Sequence, residues 1–183
     1  MQWEVLIGGA GGQGVLLAGE ILARAALLEG RYASCLAAYG PEVRGGTANC
    51  TTIVSEEEII TPLVPRPSAV MAFNQLSYER FKDVVAPKGI LLVNASLVKM
   101  DDRKKRDPEL RVVNIPINDI ALDLGNLRVL NIVALGAYIE LSGAVKLESL
   151  VSALEDQLGE KKHLIHINRR AIECGMESVR TTR

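Results

Sequence analysis

The sequence predicts an α/β protein: a single three-layer α/β/α domain over residues 1–183, with a mostly parallel, Rossmann-like sheet that is mixed at one edge. Three observations support this prediction. Short apolar runs alternate with longer segments of helical periodicity, which is typical of a parallel sheet covered by helices. A glycine-rich loop joins the first apolar run to the first helical segment. Aromatic residues make up only 4% of the chain, so we expect an aliphatic core.

The glycine-rich loop, residues 9–14, follows a β-favouring run at residues 3–7 and precedes a helix predicted over residues 13–29. Closely spaced glycines allow a tight turn and leave the backbone uncovered by side chains. Such a loop directs N–H groups and a helix N-terminus at one point, which suits an anion such as phosphate. The predicted cofactor-binding residues in this loop are Gly9, Gly11, Gly12, Gln13 and Gly14.

Two other interpretations of this glycine loop stay open. Its Gly-x-Gly-x-x-Gly spacing fits a dinucleotide fingerprint, but that site needs a carboxylate about 20 residues further on. The next predicted strand ends at residues 35–39 without one. Glu29 lies near the required distance, at the end of the first helix, where we expect it to be solvated. The third interpretation is a turn that only allows helix and strand to pack closely.

A second glycine-bracketed segment, residues 39–46, follows the strand predicted at residues 33–38. It carries Glu42 and Arg44 at the carboxyl end of a strand, where ligand sites gather in open α/β sheets. Arg44 is therefore a candidate for binding a charged cofactor. The remaining residues are predicted to support the loop or an interface: Tyr39, Gly40, Pro41, Glu42, Gly45 and Gly46. The alternative is a solvated loop with an incidental ion pair.

The rest of the sheet is predicted from four further runs. A strand at residues 47–55, a charged turn and a short return at residues 59–60 form a hairpin-like excursion, which makes the edge mixed. Buried strands at residues 69–73 and 90–93 are followed by Asn74 and Asn94. Each amide either lines the crevice at the strand ends or caps the following turn. Residues 110–115 form the last predicted strand.

Four helical features complete the prediction. The first helix has one narrow polar stripe, on which Glu20 and Arg24 are expected to pair. Residues 129–141 are apolar nearly all round, which indicates a central or interface helix and suggests a homodimer for the isolated chain. Residues 147–158 form an amphipathic helix, and a last helix begins near residue 164. A charge-dense loop at residues 101–107 and His163 and His166 are expected at the surface.

Composition narrows the function further. A net charge of −1 argues against nucleic-acid or membrane partners recruited by charge. Cys35, Cys50 and Cys174 include no Cys-x-x-Cys pair, so they predict no metal site and are expected to be buried free thiols in a reducing cytosol. The sequence shows neither a signal-peptide pattern nor a membrane-length apolar run, which predicts a cytoplasmic protein. We identify no catalytic residue.

With both glycine segments considered, the sequence resembles the gamma subunit of the 2-oxoacid:ferredoxin oxidoreductases, which act on 2-oxoglutarate, pyruvate and branched-chain 2-oxoacids. That family's Gly-x-Gly-Gly-Gln-Gly motif matches residues 9–14, and its Tyr-Gly-Pro-Glu-x-Arg-Gly-Gly motif matches residues 39–46. Weaker matches lie at residues 55–59, 74–75 and 131–136. The resemblance covers nearly the whole chain.

This resemblance implies a subunit that is not catalytic by itself. The holoenzyme would oxidatively decarboxylate a 2-oxoacid to an acyl-CoA and reduce ferredoxin. Thiamine diphosphate, Mg and iron–sulfur clusters would lie on other subunits: alpha, beta and, in some forms, delta. The gamma chain would help to form the wall of the active site and hold CoA or another phosphate-bearing group. The alternatives are a stand-alone nucleotide-binding oxidoreductase, a purely structural scaffold subunit, and a related subunit whose substrate is larger or aromatic.

Overall fold

A computed structural model describes residues 1–38, 48–100 and 108–181. Its strands are β1 (Gln2–Gly9), β2 (Tyr32–Ala38), β3 (Ala48–Ser55), β4 (Ala69–Ala72), β5 (Ile90–Asn94) and β6 (Arg111–Ile115). Its α-helices are α1 (Val15–Leu28), α2 (Gln75–Phe81), α3 (Ile117–Asp123), α4 (Leu130–Ser142), α5 (Leu147–Leu158) and α6 (Ile165–Thr181). These elements agree closely with the predicted α/β order.

The six strands form one sheet in the order β2-β3-β1-β4-β5-β6. Strands β1, β4, β5 and β6 are parallel, whereas β3 runs antiparallel to both β1 and β2. The mostly parallel sheet with a mixed edge is thereby confirmed. The mixed edge comes from the β2–β3 hairpin; the return strand predicted at residues 59–60 is wrong, because those residues lie outside the sheet.

Helices cover the two faces of the sheet unequally. The larger apolar core joins one face to α1, α3, α4, α5 and α6, and includes Ile7 and Met71. The smaller core packs Tyr78 and Phe81 of α2 against the other face. Successive residues of β4 point alternately into these two cores, as the pleat of a strand requires. This arrangement is the predicted three-layer α/β/α architecture.

The apolar helix α4 lies inside the molecule, next to α1, α3 and α6. Its residues 130–139 are all buried, as expected for a helix that has almost no polar face. Close approach to α6 depends on Gly136 and Gly175: a Cβ atom on either would overlap a backbone carbonyl oxygen of the facing helix, that of Ile172 or Val133. Between the two alternatives, α4 is therefore a central helix, and its apolar surface is no argument for a dimer.

Three side-chain predictions are wrong. Arg24 pairs with Asp156 of α5 at 3.2 Å rather than with Glu20, because α5 packs along α1. Glu29 is not solvated: its carboxylate accepts a hydrogen bond of 2.6 Å from the N–H of Lys146, just before α5. Cys35 is exposed, whereas Cys50 is buried and Cys174 is intermediate.

His163 and His166 are exposed, as predicted. The charge-dense loop at residues 101–107 lies outside the described residues. Of the helices described, none is both long and apolar enough to cross a membrane.

Candidate functional site at the glycine loop

The glycine loop lies at the carboxyl end of β1, where the sheet order places it between two regions of interest. On one side, Gly9 pairs with Ala48, so the segment joining β2 to β3 begins and ends beside it. On the other side, β1 pairs with β4, and Asn74 follows the end of β4. Ligands bind preferentially at this edge of an open α/β sheet.

The loop's backbone leaves the N-terminus of α1 open. Gly12 and Gly14 adopt left-handed conformations with φ of 88° and 70°, which only glycine adopts at little cost. Gly14 is the N-cap of α1, and no side chain of the described residues caps the helix there. Its first N–H groups and the positive end of the helix dipole are thus available to an anion.

The glycines of this region divide into two kinds. A Cβ atom on Gly9 would lie 2.7 Å from the side chain of Val15, and one on Gly14 would lie 2.5 Å from that of Asn131. These two glycines allow close packing. A Cβ atom on Gly11 or Gly12 would meet no atom within 4 Å. The packing interpretation therefore explains Gly9 and Gly14, and the φ of 88° explains Gly12 as a turn residue, but exposed Gly11 is left to be explained otherwise.

Gln13 folds back over its own loop. Its Oε1 accepts a 2.6 Å hydrogen bond from the N–H of Ala10 and a 3.3 Å bond from Nδ2 of Asn74. The amide oxygen is thus used to hold the turn and to connect it to the end of β4. Gln13 is a positioning residue for the loop.

The two strand-ending asparagines cap the turns that follow their strands, which is the second of the two predicted roles. Asn74 caps α2 by accepting from the N–H of Ser77 at 2.9 Å, while its Nδ2 contacts Gln13. Asn94 accepts from the N–H of Ser96 at 3.2 Å and donates to the carbonyl of Phe73 at 2.9 Å. The same amides therefore cap local turns and connect the strand ends into one edge.

Two further asparagines complete this edge, and the roles of both were missed from the sequence. Asn118, near the start of α3, accepts from Nδ2 of Asn94 at 2.8 Å. Asn131, 1% exposed, donates to the carbonyl of Gly14 at 3.1 Å, and its own Oδ1 is buried without a hydrogen-bond partner in the described structure. For Asn131 the available signal was a polar side chain in the first turn of a helix that stays apolar for most of its length.

Among the described residues, the side chains that build this edge are neutral amides, so in this part of the chain the preference for an anion comes from the α1 N-terminus. A bound phosphate would gain from a cation brought in by the neighbouring segment or a partner chain. The candidates for that role and its support were Tyr39, Gly40, Pro41, Glu42, Arg44, Gly45 and Gly46; all lie outside the described residues. Within the described ranges no cluster of three His, Cys, Asp or Glu residues is placed to hold a metal ion.

Comparison with known proteins identifies relatives over nearly the full chain. A family profile described as pyruvate ferredoxin/flavodoxin oxidoreductase matches residues 4–178. The 2-oxoglutarate synthase subunit KorC of Methanocaldococcus jannaschii is 35% identical, with 92% of each chain covered. The crystal structure of a keto/oxoacid ferredoxin oxidoreductase gamma subunit from Geobacter sulfurreducens is 32% identical, with 98% of this chain and 99% of that chain covered and a TM-score of 0.83.

Other relatives contain this unit within a longer chain. The ketoisovalerate oxidoreductase subunit VorA of Methanothermobacter thermautotrophicus is 37% identical over 97% of this chain. The match spans 36% of VorA, so the chain corresponds to about a third of that relative.

Proposed function

The chain belongs to the pyruvate ferredoxin/flavodoxin oxidoreductase family, and on that premise we propose that it is the gamma subunit of a 2-oxoacid:ferredoxin oxidoreductase. The observation that carries the proposal is its end-to-end match, at 32% identity, to a free-standing gamma subunit of known structure. The complex would convert a 2-oxoacid to an acyl-CoA in the cytoplasm, with residues 1–183 acting as one domain. Its 2-oxoacid, which is 2-oxoglutarate, a branched-chain acid or pyruvate, would be selected by partner subunits.

In the proposed complex the partner subunits carry out the redox chemistry. Thiamine diphosphate, Mg and iron–sulfur clusters are placed on alpha and beta subunits, with or without a delta subunit, and ferredoxin receives the electrons through the complex. The fusion of this unit into the longer VorA relative supports a role beside other domains. A purely structural scaffold is the second candidate, favoured by the packing role of Gly9 and Gly14.

The glycine loop is the proposed site for a phosphate group of CoA. Gly11 and Gly12 leave space above the backbone, and the α1 N-terminus supplies N–H donors and a partial positive charge. Gln13 holds the turn, and Gly9 and Gly14 fix its distance from α1 and α4. We assign Arg44 to the same phosphate, because a guanidinium provides the cation that the neutral amides lack.

Arg44→Ala in the assembled complex tests this assignment. Loss of a charged phosphate contact should raise the apparent KM for CoA, with about 1.5–3 kcal/mol of binding at stake, and leave assembly intact. Arg66→Ala, an exposed arginine before β4, is the matched control and should change neither. If the complex dissociates and the surviving enzyme keeps its dependence on CoA, Arg44 is an interface clamp and the pocket assignment is wrong.

The isolated chain should be inactive. Incubation of the pure chain with a 2-oxoacid, CoA, thiamine diphosphate and a viologen acceptor should give no turnover until the partner subunits are added. Turnover by this chain alone would contradict the subunit assignment. In the absence of its partners we expect the chain to form a homodimer through the exposed leucines of α1, Leu17, Leu27 and Leu28, which sedimentation at micromolar concentration would detect.

A further inference from the structure

Two cysteines that the sequence separates by 15 positions lie side by side in the β2–β3 hairpin. Their Sγ atoms are 3.2 Å apart. In the register of the hairpin Cys35 lies opposite Thr52 and Ala37 lies opposite Cys50, so the two cysteines are diagonal neighbours on one face. Diagonal side chains of an antiparallel pair are within reach of each other.

Helix α1 makes room for this pair. Gly19 faces both sulfurs: a Cβ atom there would lie 2.5 Å from Sγ of Cys50 and 3.1 Å from Sγ of Cys35. Thr52 completes the cluster, with its hydroxyl 3.7 Å from Sγ of Cys35. Two thiols and a hydroxyl thus occupy the space that a side chain at Gly19 would take, between the β2–β3 pair and α1.

The two thiols differ in access and in acidity. Cys35 is exposed, whereas Cys50 is fully buried. The hydrogen bond from the Cys50 thiol stabilises the Cys35 thiolate and lowers the pKa of Cys35 to about 7. Partial burial and the nearby charge of Glu20 oppose this shift, whereas a hydrogen bond from Thr52 adds to it. The hydrogen bond between the two thiols and burial raise the pKa of Cys50. Burial also raises the pKa of the third cysteine, Cys174, which lies on α6.

We propose that Cys35 and Cys50 form a peroxide-oxidisable dithiol, in which exposed Cys35 is the attacking sulfur and buried Cys50 is the resolving sulfur. The Cys35 thiolate attacks one oxygen of a hydroperoxide, the O–O bond breaks, and Cys35 becomes a sulfenic acid. The departing oxygen takes a proton from solvent and leaves as water or an alcohol. The Cys50 thiol then attacks that sulfur, the S–O bond breaks, and the thiol proton leaves with the hydroxyl as water. Two thiols are oxidised to a disulfide and one peroxide is reduced.

The cross-link would form at the base of the segment that joins β2 to β3. For the bond to form, the sulfurs must close from 3.2 Å to about 2.05 Å across the hairpin. Strand β3 also pairs with β1, whose carboxyl end is the glycine loop. Oxidation would therefore cross-link β2 to β3, the strand that pairs with β1.

The test uses the full-length chain purified with its partner subunits, reduced, freed of reductant and treated with stoichiometric hydrogen peroxide. Peptide mass spectrometry should find a Cys35–Cys50 disulfide, with a mass decrease of about 2 Da that dithiothreitol reverses. Cys50→Ser should leave Cys35 as a sulfenic acid that dimedone traps, and Cys35→Ser should give neither product. Cys174→Ser is the control and should leave the disulfide yield unchanged.

A second measurement does not depend on variants. In the wild-type protein the rate of Cys35 alkylation should rise with pH through a midpoint near 7, because the thiolate is the reactive form, while Cys174 should need a higher pH. Equal rates for the two cysteines, absence of the disulfide peptide, or a Cys35 disulfide to a different cysteine would each overturn the proposal. These readouts are thiol chemistry, so they stand or fall separately from CoA binding.

Discussion

Two glycine pairs in this molecule serve opposite purposes. Gly136 and Gly175 lie where α4 crosses α6, and at each a Cβ atom would overlap backbone of the other helix. Gly11 and Gly12 lie in the glycine loop, and a Cβ atom there would meet nothing within 4 Å. The first pair is needed because space is missing. At the second pair space is open above a helix N-terminus, and Gly12 in addition has a left-handed φ of 88° that favours glycine. A glycine's role is therefore decided by its surroundings.

The largest expected effect is at the helix crossing. Gly136→Ala should destabilise the fold by about 3 kcal/mol, because the clash is with the carbonyl of Ile172 and a backbone cannot rotate away. Helix propensity alone would predict a gain of about 0.5–1 kcal/mol from this substitution, so even the sign is informative. Chemical denaturation measures the change. Gly11→Ala is the control and should alter the free energy of unfolding by less than about 0.5 kcal/mol.

The next largest effect is expected at Gly14, a loop glycine that also packs closely against a helix. Gly14→Ala should cost about 2–3 kcal/mol, since it combines a left-handed backbone with a contact of 2.5 Å to Asn131. Gly30 has almost the same φ, 71° against 70°, but no neighbour within 4 Å. Gly30→Ala should therefore cost only the backbone term, about 1–2 kcal/mol. Equal losses at the two positions would show that the Asn131 contact is unimportant.

The smallest effect concerns the loop's own support. Gln13→Ala removes the acceptor for the N–H of Ala10 and should cost about 1 kcal/mol. Gln2 provides the control, because the described hydrogen bond of its side-chain amide goes to Glu4 at an exposed position. Gln2→Ala should leave the melting temperature unchanged. A Gln13→Ala protein as stable as the control would mean that the loop holds its conformation without this hydrogen bond.

The fold was largely predictable because its signals are local. Apolar runs and helical periodicity indicated the six described strands and the four long helices α1, α4, α5 and α6. A mixed edge was predicted correctly but from the wrong pair of segments, because the hairpin partner of β3 is β2 and not residues 59–60. The prediction of a return strand at residues 59–60 was wrong because two β-branched residues favour a strand but do not provide a neighbouring strand with which to pair. Glu29 failed for a related reason: its burial depends on α5, more than a hundred residues away.

The candidate site was predictable only in part. The glycine spacing identified the loop, but the sequence could not separate Gly9 and Gly14, which pack, from Gly11 and Gly12, which do not. Asn118 and Asn131 come from distant elements, so only the sheet order and helix packing bring Asn131 to the loop and Asn118 to Asn94. The closeness of Cys35 and Cys50 likewise depends on hairpin register, which composition does not reveal.

The most direct test of the account compares CoA with pantetheine, which lacks its phosphates, in the assembled enzyme carrying Gly11→Val. The new side chain would occupy the open space above the loop without disturbing the packing below it. We predict that the KM for CoA rises by about tenfold, equivalent to about 1.4 kcal/mol, while the KM for pantetheine and the melting temperature stay at wild-type values. An unchanged KM for CoA, or an equal rise for both compounds, would contradict a phosphate site at the glycine loop.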